Sequence, residues 1–169
     1  MQPTVTEPDV DTAGALARTM AAQSLVLLKN GTHDGGPALP LPASAVRSLG
    51  VVGPLAEDPF AMLGCYSFDA HVGASHPEVP MGISVPTVAG AAGLFAGSSK
   101  VRSASTGTCE AITPEEIAEA CAIAASVDTC VLVVGDNAGL FGRGTSGEGN
   151  DAADLRLPGD QHDLSLIHI

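Results

Sequence analysis

One carboxylate in this chain is set apart from the rest. Glu148 lies between Gly147 and Gly149 in the run Arg143-Gly144-Thr145-Ser146-Gly147-Glu148-Gly149-Asn150-Asp151, with Asp136, Gly139 and Gly142 just upstream. A carboxyl side chain between two glycines has little to pack against. It is free to enter a site and donate or accept a proton, because glycine lets the backbone turn sharply and approach a ligand closely. Three further polar side chains lie near it. Arg143 can orient Glu148, bind substrate or make a surface salt bridge. Asp136 can meet a polar ligand or shape the turn. Asp151 can brace the loop or cap the segment after it. Glycines after a strand also suit a nucleotide or flavin module, the rival reading. Neither GxGxxG at a first strand–helix turn nor GxxxxGK[ST] is present, however, and the loop has no Lys.

The loop comes after Cys130-Val131-Leu132-Val133-Val134, an apolar run that reads as a buried parallel strand. In open α/β sheets ligands bind beyond the carboxyl ends of the strands, which is where this loop falls. Two more strands are expected at Ser48–Pro54 and Lys100–Ala104, and a further one at Ser24–Leu28, ending at the turn Asn30-Gly31. Helices are expected from Ala13 to about Ser24, between Val85 and Ala96, and from Pro114 to about Ser126. The last opens with Thr113-Pro114-Glu115-Glu116, an N-cap, a proline and first-turn acids. This alternation predicts an α/β fold, a mainly parallel sheet sandwiched by helices. The stretch 55–83, which holds Tyr66, His71 and His76, is too long for a plain connection. It is expected to be functional or to carry small structure of its own. Tyr66 and His71 either pack that loop or reach toward a partner surface, and His76 reads as turn structure.

Composition sets limits. The chain has 169 residues, 45% hydrophobic and 15% charged, which suits one folded domain. Aromatics are 3%, so the core must be built from Ala, Val and Leu. A net charge of −12 with seven basic residues argues against a nucleic-acid partner, which needs clustered Lys and Arg. Cys65, Cys109, Cys121 and Cys130 form no CxxC pair and read as free thiols. No metal site and no cofactor are expected. No apolar run reaches the ~18 residues of a membrane span. Met1-Gln2-Pro3-Thr4 has neither a basic start nor an apolar core, which favours the cytoplasm, and the Ala/Gly/Asp bias resembles a GC-rich bacterial genome.

The pieces then resemble a known family. Ser24-Leu25-Val26-Leu27-Leu28-Lys29-Asn30, Leu39-Pro40-Leu41 and Val51-Val52-Gly53-Pro54 are similar to the opening of the second domain of glycoside hydrolase family 3. Ser146–Asp151, with Leu155–Gln161 after it, resembles that family's catalytic loop and the segment behind it. The resemblance covers roughly residues 13–163. Residues 1–12 read as a linker or the end of a preceding barrel domain. Residues 164–169 match the translation of a transposase-adapter sequence used in sequencing libraries, so an artificial, truncated C-terminal end is expected.

The resemblance implies a β-glucosidase, β-xylosidase or related exo-acting enzyme that cleaves terminal β-linked sugars from an oligosaccharide or glycoside, retaining configuration. In the family a (β/α)8 barrel carries the nucleophilic Asp, and the α/β sandwich supplies the acid/base Glu; by motif that is Glu148. Asp136 is then a candidate contact for sugar hydroxyls. The barrel would precede this chain, which alone is expected to be inactive. Many members have Asp-Arg after the loop. Here Ala152 comes after Asp151, and Arg143 is the nearest substitute. The acid form of Glu148 needs a neighbouring carboxylate and burial under substrate. Neither exists within these residues, so a solvated Glu148 is expected. A sugar-binding domain without chemistry is the non-catalytic alternative.

Overall fold

The sheet is built from three short runs, two of them largely apolar and half β-branched, a composition that favours strand. In the computed structural model, which describes residues 10–33, 35–73, 75–76, 78–80 and 82–166, they are β3 (Leu49–Val52), β4 (Val101–Ala104) and β5 (Thr129–Leu132). They pair in parallel in the order β4-β3-β5, with Val52 opposite both Ala104 and Leu132. The helices α2 (Val88–Ala96) and α3 (Pro114–Ala125) pack on β3 and β4. The α/β class and the helix-flanked parallel sheet expected from the sequence are therefore observed.

β3 is central and buried along its whole length. Its alternation sends Gly50 and Val52 toward α3, where Gly50 lies under Ile123 and Val127. Val52, Ile112, Ala120 and Leu164 form a buried cluster, joined by Ile117, Ile123, Leu132 and Val134. Fully burying a valine such as Val51 or Val52 is worth about 1.5–3 kcal/mol, so this strand anchors the unit. Leu164, which the sequence assigns to the terminal tail, is fully buried here, on the short helix α4 (Gln161–Ser165).

α3 starts where its sequence says. The Thr113 hydroxyl accepts the Glu116 N–H, and the Glu116 carboxylate accepts the Thr113 N–H at 2.8 Å. That backbone bond first, then the Thr113 hydroxyl, holds the Glu116 carboxyl below its ordinary value. The stabilisation from this lowered group is present above the ordinary carboxylate range and fades as pH falls through its folded value. Thr113→Ala is expected to lower stability by about 1 kcal/mol, read as a shift in urea midpoint. An unchanged midpoint would show that the cap is idle.

Two expectations from the sequence are corrected. The run at 130–134 reads as buried. The strand is Thr129–Leu132 and sits at the sheet edge, with Val131 38% exposed. The reason is order: with β3 between β4 and β5, β5 has one strand neighbour among the described residues. The run Ser24–Leu28 is not a strand. It continues from α1 (Val10–Ser24) as irregular chain, with Leu25 81% and Leu28 92% exposed. A strand persists only where a neighbour takes its backbone groups, and none of the described strands pairs with it. The described residues up to Leu41 form a separate unit. In it β1 (Thr32–His33) and β2 (Gly36–Pro37) make a small hairpin, and the Asn30 amide clasps the N–H and C=O of Leu39.

The long stretch 55–83 carries structure of its own. A 3-10 turn spans Pro59–Met62, capped by the Asp58 carboxylate on the Phe60 N–H, and a single π turn spans Asp69–Gly73.

Candidate active site

The loop carrying Glu148 is rooted at the end of β5. Val133 N–H donates to Val52 O at 2.8 Å and extends the pairing. Both backbone groups of Gly135 are then taken by one side chain. Gln161 accepts the Gly135 N–H at 2.8 Å and donates to Gly135 O and to Cys109 O, each at 2.9 Å. Gln161 is fully buried. Burial pushes the Cys109 thiol up to about 11, so it stays neutral, and all four cysteines are free.

Beyond Gly135 the chain folds on itself. β6 (Ala138–Gly139) pairs with β7 (Ser146–Gly147), and Asn137 O accepts the Thr145 N–H at 2.9 Å. The Thr145 hydroxyl accepts the Asn137 N–H and donates to Asp136 at 2.9 Å. The Gly142 N–H donates to Glu148 O. Leu140 is buried and pins the centre of the loop. At two positions the loop's glycines do more than let the chain turn. A Cβ on Gly139 would lie 1.8 Å from Arg143 O, and one on Gly147, at φ 142°, would lie 2.0 Å from Gly139 O. Backbone packs on backbone here, and only glycine leaves room for it. The loop is tied rather than loose.

The structure scatters the site residues expected from the sequence. Glu148 is exposed near the loop end, as expected for this domain alone, and the Tyr66 hydroxyl donates to its carboxylate. That bond, and then the Glu148 charge, raise the Tyr66 phenol above its ordinary value. Arg143 and His71, with Phe60, Asp69, Asn137 and Phe141, help wall a cleft of about 750 Å3 between the 58–80 stretch and the loop. Asp136 is tied to Thr145 within the loop, and Asp151 lies exposed after it. Glu148, Asp136 and Asp151 are not among the residues that wall the cleft. His76 pairs with Glu78 at 3.1 Å. Sequence reasoning does not find Gln161 as the loop's anchor or Leu140 as its pin. Tyr66 stands out in the sequence, but its partner lies 82 residues away, with no local spacing to betray it.

A family model described as "Glycosyl hydrolase family 3 C-terminal domain" matches residues 25–166, which takes in every strand and α2 to α4. The chain belongs to glycosyl hydrolase family 3. Relatives of this family 3 domain agree. Beta-D-xylosidase 3 of Arabidopsis thaliana is 35% identical over 88% of this chain and 16% of that protein. Beta-xylosidase/alpha-L-arabinofuranosidase 2 of Medicago sativa subsp. varia is 34% identical over 88% of the chain and 16% of its own length. A Beta-xylosidase of Formosa agariphila is 31% identical over 96% of the chain and 21% of its own length. The chain thus spans about a fifth or less of the curated relatives it matches.

Proposed function

We propose that this family 3 domain is part of a retaining, exo-acting β-glycosidase that removes terminal β-linked xylosyl units, with Glu148 as its general acid/base. The observation that carries the reading is the placement of Glu148. It is an exposed carboxylate on a tied loop that continues from a parallel strand and walls a cleft through Asn137, Phe141, Arg143 and Gly144. The nucleophilic Asp belongs to a preceding (β/α)8 barrel. Retention requires the two carboxyl groups about 5–5.5 Å apart. In the first step Glu148 gives its proton to the departing glycosidic oxygen while the Asp attacks the sugar's anomeric carbon. In the second, the Glu148 carboxylate takes a proton from water, which displaces the Asp. Arg143, the nearby cation on the cleft wall, and Asp136 and Asp151 are its proposed companions in holding substrate.

The names of the relatives favour xylose over glucose as the sugar. The enzyme carrying this domain is expected to hydrolyse an aryl β-xyloside with kcat/KM about tenfold or more above that for the aryl β-glucoside, since a pocket shaped for xylose must exclude the extra hydroxymethyl group. The 169-residue chain alone is expected to hydrolyse neither. A glucoside preference would overturn the choice of sugar, and turnover by the chain alone would overturn the need for a barrel.

A further inference from the structure

Tyr66 and Glu148 come from distant parts of the chain, one in the stretch between β3 and α2 and the other in the loop after β5. The phenol O–H of Tyr66 donates to one carboxylate oxygen, Oε2. Tyr66 is 67% exposed, so packing does not fix it there; the charged acceptor does. The same two segments meet again where the His71 ring stands edge-on to Phe141, with ring centroids 6.0 Å apart and an interplanar angle of 84°. Phe141 sits at φ 57°, a left-handed conformation that a bulky residue keeps only where its surroundings enforce it. The loop is therefore held to the 59–73 segment at two points.

We infer that Tyr66 is a positioning residue for Glu148, engaging one carboxylate oxygen and leaving the other, Oε1, to carry the transferable proton. This rests on the acid/base reading of Glu148. A phenol suits the task because it donates to Oε2 in both forms, to the carboxylate when Glu148 is ionised and to the C=O oxygen of the acid when Oε1 carries the proton. Through both halves of the reaction it can hold the side chain in one orientation. A phenol whose ionisation is pushed upward also remains a donor across the working range.

Tyr66 is the chain's single tyrosine, and there is no tryptophan. Phenolate absorbance therefore reports Tyr66 alone. The parent chain is expected to titrate above the ordinary phenol value of 10.0, and Glu148→Gln, which keeps the side-chain length without the charge, at lower pH. Identical titrations would overturn the contact. In the full-length enzyme Tyr66→Phe is expected to lower kcat on xylobiose about tenfold, leave KM unchanged and spare aryl xylosides with activated leaving groups. Equal loss on both substrates, or loss on neither, would overturn the positioning role. If the titration moves as expected while Glu148→Ala retains full xylobiose hydrolysis, the contact stands and the acid/base reading falls.

Discussion

Glu148→Ala in the full-length enzyme is expected to cut kcat/KM on xylobiose by about 10²–10⁴-fold, the range for loss of a positioned proton donor. The leaving group decides the size of the effect. A sugar alkoxide leaves only if it is protonated as the bond breaks, so xylobiose needs the acid. A nitrophenolate leaves unaided, so the glycosylation step of an activated aryl xyloside is expected to fall far less. Its second step still lacks the base that activates water. Azide, an anion that needs no deprotonation, is expected to restore part of that rate and to yield the β-xylosyl azide. The substitution sits on an exposed side chain, where stability changes are usually within about 0.5 kcal/mol, so an unchanged circular dichroism spectrum should accompany the loss. Equal activity of variant and parent on xylobiose would remove Glu148 from the mechanism.

Gln161→Leu is expected to have the largest effect on stability. Leucine fills a similar volume but makes none of the three hydrogen bonds that Gln161 forms, accepting one from Gly135 and donating one each to Gly135 and Cys109. Each backbone group left buried and unpaired costs about 1–3 kcal/mol. Relaxation shares part of that loss, so a total of about 3–5 kcal/mol is expected, in the range that marks a broken buried network. Urea unfolding measures it. Amide exchange at Gly135 localises it, because that N–H loses its only strong acceptor and sits at the root of the Glu148 loop. A loss under about 1 kcal/mol would mean that water or a shifted backbone replaces the glutamine without penalty. The clasp would then not be what holds the loop.

The two substitutions separate what the sequence displays from what it conceals. Glu148 is visible because its context is local: a carboxylate between glycines, shortly after an apolar run. Gln161 is part of a recognisable segment, Leu155–Gln161, yet nothing in that segment says that its amide reaches back 26 residues to Gly135. The glycines are legible as a cluster but not in purpose. Turning and ligand approach are what the cluster suggests, whereas Gly139 and Gly147 face each other across a backbone contact that neither reveals alone.

Residues within a few positions of one another determined a good part of this protein. Thr113-Pro114-Glu115-Glu116 started α3, short strand-like runs placed β3, β4 and β5, and their alternation with helices required a parallel α/β sheet. These signals survive translation into structure because caps, turns and periodicities act over three or four residues, and any fold containing them keeps them. Tertiary structure alone decided that β3 lies in the middle and β5 at the edge, that Leu25–Leu28 stays outside any strand, and that Tyr66 meets Glu148. Each of these depends on which distant surfaces come together, and that is settled by the burial of the whole core rather than by any one segment's preference.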